Sequence, residues 1–118
     1  MLTAQVERLN SLLESFDECR IQSFDGNRLI ISGCWDLTYH HNFEAKFTLV
    51  SYVQCATYFN AQAFRLASAQ ERLALHDPDH TEADDSFFCF ESDGARFFIA
   101  AQGLEVREGL VLHSEGAP

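Results

Sequence analysis

The sequence predicts an α+β fold, in which an N-terminal amphipathic helix packs on an antiparallel sheet of about five to seven strands. Three observations predict it. Apolar residues over 2–16 recur at helical spacing. Asp-Gly pairs at Asp25 and Gly26, and at Asp93 and Gly94, each stand between β-forming runs, a strong hairpin signal. The other apolar runs are short and rich in Phe, Ile, Val and Tyr, as strands are. A chain of 118 residues is expected to form one domain, 1–118, large enough to build a core without disulfides or metal.

In the first segment Leu2, Val6, Leu9, Leu12, Leu13 and Phe16 form a stripe, opposite Glu7, Arg8, Glu14 and Ser15. Thr3 is the candidate N-cap. Leu9 and Leu12 are expected to face the sheet. Two strands should flank the turn at 25–27. From Asn42 onward, Phe43, Ala45, Phe47 and Leu49 alternate with Glu44, Lys46 and Thr48, which predicts a half-buried strand. The alternation fails near Val50 and Tyr52, so that end is expected to be central or covered on both faces. Residues 64–67 predict a short strand. Ser68 with Glu71 three residues later is a capping-box signature, opening a short helix to about Leu75. The stretch 76–85 is polar, acidic and interrupted by Pro78, which predicts a loop. A second hairpin spans the Asp93 turn, and 104–113 extends the sheet, with Gly109 at a bend or bulge. The tail 114–118 is expected to fray.

Composition narrows the function. Eighteen acidic residues against eight basic ones give a net charge of −10. Such a chain repels nucleic-acid phosphates and anionic lipid, and its basic residues are scattered singly. No nucleic acid and no membrane is therefore expected as a partner, and a basic protein is. No secretion signal or membrane span is legible, so a cytoplasmic protein is the expectation. Cys19, Cys34, Cys55 and Cys89 match neither zinc nor CxxC spacing and are expected to be small buried hydrophobes. No cofactor motif is present: the chain has no P-loop, no GxGxxG and no GxSxG elbow.

Two polar clusters stand out. His40 and His41 lie near Cys34, Asp36 and Glu44, in what is expected to be a hairpin loop. On a strand, adjacent histidines would face opposite ways and could not share an ion. His76 and His80 sit among five carboxylates over 77–85, but Pro78 spoils a helical ligand pair. The spacing also misses the EF-hand pattern, because Glu82 and Phe88 stand where it needs Gly and Glu. No metal is expected at either place.

The leading expectation is a small acidic protein that acts by protein–protein contact, for instance an inhibitor or immunity-type protein for a basic partner. Trp35, Tyr39, His40, His41, Asp84 and Asp85 are its candidate contact residues, with the two aromatics as anchors. A small-ligand-binding domain with an aromatic-lined pocket is the second expectation. A minor enzyme or metal protein at the Cys34/His40/His41 loop is the third.

Overall fold

The computed structural model describes residues 2–34 and 40–112, with the backbone alone at 34, 40–42 and 110–112. The predicted fold class holds. The N-terminal stripe forms α1 (Leu2–Leu13), and the chain then alternates short strands with one further helix. The strands are β1 (Glu18–Asp25), β2 (Arg28–Cys34), β3 (His40–Thr48), β4 (Tyr52–Gln54), β5 (Tyr58–Asn60) and β6 (Gln62–Leu66). After α2 (Ala69–Leu75) come β7 (Ser86–Ser92), β8 (Ala95–Ala101) and β9 (Gly103–Leu112).

Nine strands are present among the described residues, against the five to seven expected, and they form two sheets. The five-stranded sheet has the order β5-β1-β2-β3-β9 and the four-stranded sheet the order β4-β8-β7-β6. Every pairing is antiparallel. The extra strands arise where the chain crosses between sheets. Leu49, at φ +52°, turns β3 out of the first sheet into β4 of the second. Leu49 therefore does not continue the buried alternation of Phe43, Ala45 and Phe47; it is exposed, and Val50 is buried in its place. The crossing is held by Val50 N donating to Asn27 O (2.8 Å) and Gln102 N donating to Thr48 O (3.0 Å).

Both Asp-Gly hairpins form, through different turns. In β1–β2 the turn residues are Gly26 and Asn27, with Gly26 at φ +65°. In β7–β8 they are Asp93 and Gly94, at φ +51° and +83°, the type I′ requirement of two left-handed residues. Gly109 marks a bulge as predicted, because β9 has one more residue than β3 between the His41–Val111 and Phe43–Glu108 pairs.

The inner faces of both sheets and α1 meet in one apolar cluster. It contains Val6, Leu9 and Leu13 from α1, Leu29 and Ile31 from β2, and Phe43 and Phe47 from β3. Phe64, Phe88, Phe90 and Ile99 come from the other sheet. Leu13, not Leu12, is the fully buried partner of Leu9, and Leu12 packs at the margin. The helix starts at Leu2, which places Thr3 inside the first turn, where it cannot be the N-cap. Gly33 is needed for close packing: a Cβ there would overlap the ring of Phe43, which lies across it.

The helix α1 runs along the two open edges, β9 of one sheet and β6 of the other. It hydrogen-bonds to both. Gln5 Oε1 accepts from Val106 N at 2.8 Å, and Asn10 Nδ2 donates to Phe64 O. Arg8 adds an exposed ion pair to Glu108 at 2.9 Å. Edge groups that would otherwise be open to another strand are thus occupied. Gln5→Ala is expected to cost about 1 kcal/mol in urea unfolding and to speed hydrogen exchange at the Val106 amide. Unchanged exchange would mean that Gln5 does not protect that edge.

Among the described residues, no helix is long and apolar enough to cross a membrane.

Candidate functional site

The predicted contact residues fall in different places. Trp35 and Tyr39, with Asp36, lie outside the described residues. His40 and His41 are not in a loop. They open β3, opposite Leu112 and Val111 of β9, a long-range pairing that local sequence does not reveal. Asp84 is exposed, and its Oδ1 accepts from Gln102 Nε2 at 3.1 Å. Asp85 is not a surface charge: its side chain is 1% exposed. Its Oδ2 accepts from Ser51 Oγ and from Glu82 N (2.7 Å). The histidine pair thus belongs to the five-stranded sheet and the aspartates to the margin of the four-stranded one.

The acidic stretch 76–85 is an organised cap. The Asp77 carbonyl accepts from His80 N (2.9 Å) and Thr81 N (2.7 Å), closing a tight turn. The buried Thr81 hydroxyl lies 2.7 Å from His76 Nδ1 and accepts from Asp77 N at 2.9 Å. His80 Nδ1 lies 2.7 Å from Asp77 Oδ2, and Asp77 Oδ1 accepts from Asp79 N at 3.0 Å. In the His80 pair Nδ1 is the donor, because a carboxylate has no proton to give. These bonds hold the Asp77 carboxyl below the usual carboxylate range, with His80 as the main cause and the Asp79 amide next. Asp79, Glu82 and Asp84 are exposed on this frame, while Asp85 anchors it to Ser51, just before β4.

The cap borders the face of the four-stranded sheet that is turned away from the core. Cross-strand register places Gln54, Phe98, Cys89 and Arg65 in one row across β4, β8, β7 and β6. Phe87, Cys89, Phe98 and Ala100 form a second buried apolar cluster there, against which Leu75 and Ala67 pack. Leu75 comes from the short helix α2. Its start is fixed by the capping box, with Ser68 Oγ accepting from Glu71 N at 3.2 Å and Glu71 Oε1 from Ser68 N at 2.9 Å. Arg65 grips the same carboxylate in a two-point pair at 2.6 and 2.7 Å.

That pair, with the Ser68 amide second, brings Glu71 down from 4.5 to about 2. A depressed carboxylate stabilises the fold above its ordinary pKa and loses that contribution as pH falls towards the folded value. Glu71→Gln should therefore be less stable than the wild type at pH 7, with the gap closing between pH 4.5 and about 2. Urea midpoints measured across that range check this. A gap independent of pH would remove the ionised pair from the account.

Two adjoining clefts open on this face. One, of about 230 Å³, lies beside α2 over Cys89, Phe98, Arg65 and Arg96. The other, of about 220 Å³, lies towards β4 and the cap and is lined by Tyr52, Gln54, Leu75, Asp77, His80 and Phe98 among others. Tyr52 is 38% exposed. Its ring stacks on Phe98 (5.5 Å between centroids, 28° between planes) and approaches His80 (6.0 Å, 56°).

No known protein came to light as a relative. Comparison with protein-family models, with curated proteins and with solved structures found no match.

Cys89 lies on the cleft floor, but burial pushes its thiol up, outweighing the nearby Arg65 and Arg96. Cys55 is pushed up to about 11 by burial. Thiols of this kind are protonated at neutral pH and are poor nucleophiles. Among the described residues, no group of three or more His, Cys, Asp or Glu is placed to hold a metal. Sequence reasoning missed Tyr52 and Phe98. Tyr52 sits where the strand alternation breaks; the end expected there to be central or covered is instead an edge strand, with Tyr52 partly exposed.

Proposed function

We propose that this is a cytoplasmic binding protein that recognises a basic protein partner through the face formed by β4, β8 and the acidic cap. The observation that carries this reading is Tyr52. It is a partly exposed aromatic on an edge strand, stacked on Phe98, beside a hydrogen-bonded loop bearing Asp77, Asp79, Glu82 and Asp84. An aromatic anchor with a charged rim is the anatomy of a protein-binding hot spot. The net charge of −10 supplies the long-range field that speeds encounter with a basic partner. An inhibitor or immunity-type role towards a basic toxin or nuclease is the specific form of this reading.

The two other readings have less support. The space enclosed between α1 and the sheets, lined by Phe43, Phe47, Phe59, Phe64 and Phe90, measures about 10 Å³, room for no more than about one water molecule. The open 230 Å³ cleft beside α2 is smaller than the roughly 300–1,000 Å³ usual for ligand sites. An enzyme or metal role for Cys34, His40 and His41 rests on side chains outside the described residues.

Capture from a lysate of the native cells tests the proposal, with wild type compared against a variant combining Asp79→Asn, Glu82→Gln and Asp84→Asn. The wild type should retain a basic protein at low salt and release it as salt rises, and the variant should retain less. Equal retention by both would contradict the proposal.

A further inference from the structure

We propose that the 220 Å³ cleft beside Tyr52 is a pocket for the guanidinium of an arginine side chain presented by the basic partner. The inference rests on the reading above and adds the chemical group that enters. The cleft joins three features that a guanidinium uses together. The first is a stacked aromatic pair, Tyr52 on Phe98, with the His80 ring tilted against it at 6.0 Å. A flat, weakly hydrated cation gains most from such rings. The second is the Asp77 carboxyl, held in place by His80 Nδ1 at 2.7 Å and by Asp79 N at 3.0 Å. Each of its oxygens accepts one bond from the loop, and a carboxylate offers about four acceptor directions, so a donor from outside can still be received. The third is the apolar wall of Ala74 and Leu75, against which the methylene arm of a long side chain can lie.

Charge complementarity selects a cation over a neutral ligand. Among the described residues, Asp77 is the only carboxylate lining the cleft, and no lysine or arginine lines it. The flanking Asp79, Glu82 and Asp84 extend the same sign outward. The neighbouring 230 Å³ cleft differs on this point, since Arg65 and Arg96 line it together with Glu71 and Glu91. Arginine is favoured over lysine because a planar fork can stack on a ring and hydrogen-bond a carboxylate at once, while an ammonium is a compact and strongly hydrated point charge.

The test is a titration of the whole protein with N-acetyl-arginine methylamide at low ionic strength, followed by NMR at the rings of Tyr52, His80 and Phe98. The lysine analogue and the neutral citrulline analogue are run in parallel. Saturable shifts at those three rings are expected with arginine, weaker ones with lysine and none with citrulline. Tyr52→Phe, which keeps the ring, should preserve the response. Tyr52→Ala and Asp77→Asn should abolish it, each checked for an otherwise native spectrum. Absence of saturation, equal shifts with citrulline, or shifts that map elsewhere would overturn the pocket. Equal response to lysine would overturn the choice of guanidinium. If the captured partner still depends on the acidic face while the arginine probe fails, the pocket is wrong and the face is right. If the probe binds while capture ignores the face, the pocket stands and the proposed partner contact falls.

Discussion

Phe47→Ala is expected to cost about 3–5 kcal/mol of stability, the range for truncating a fully buried aromatic. Phe47 has no exposed surface and sits where the two sheets meet. On its own sheet it pairs with Leu29 of β2 and Leu104 of β9. Across the core its ring meets Phe88 edge-on at 5.2 Å and Phe64 at 6.2 Å. Little can collapse into the resulting hole, because its lining comes from strands held in ladders and, at the β6 and β9 edges, by α1. Such a cost is a large fraction of the roughly 5–15 kcal/mol that holds a domain together, so the variant is expected to populate unfolded chains measurably. Urea unfolding gives the number. The control is Leu73→Ala on α2, 83% exposed, which should stay within about 0.5 kcal/mol. A small effect at Phe47 would mean that the two sheets do not share a core.

Asp85→Ala is expected to cost about 2–3 kcal/mol, because it strands two donors at once. The Ser51 hydroxyl and the Glu82 amide both end on Asp85 Oδ2. Oδ1 receives no hydrogen bond from any described residue, so replacing the buried carboxyl also removes a poorly satisfied oxygen. That keeps the net cost below the sum of the two broken bonds. The loss should appear locally as well. The cap would come free of β4, and exchange at the Glu82 amide should rise far more than exchange in β7 and β8. Asp85→Asn keeps one carbonyl acceptor and should lie between wild type and Ala. If Asn and Ala are equally damaging, the hydrogen bonds are not what holds the cap.

Local signals made the elements legible, and long-range ones hid the assembly. The stripe of α1, the capping box at Ser68 and Glu71, and both Asp-Gly hairpins depend on neighbours within a few residues, and each is present. The division into two sheets was not legible, because the crossing from β3 to β4 turns on left-handed backbone at Leu49, a residue type that does not announce such a conformation. The strands β4 and β5 are too short, at three residues each, to show a period of two. His40 and His41 read as loop since their strand partners, Leu112 and Val111, lie at the far end of the chain. Asp85 read as surface charge for the same reason: its burial depends on Ser51, which a local reading of an acidic stretch cannot see. The candidate site suffered most. Tyr52 comes to line a cleft only because β4 is an edge strand and the cap packs beside it.

The face formed by β4, β8 and the cap is the surface we propose for a basic partner. Hydrogen-exchange footprinting of the captured complex against the protein alone tests it most directly. The account predicts new protection at Tyr52–Gln54 and across the cap at 76–84, with the outer face of the five-stranded sheet unchanged. Protection confined to the five-stranded sheet, with β4 and the cap exchanging as in the free protein, would contradict it.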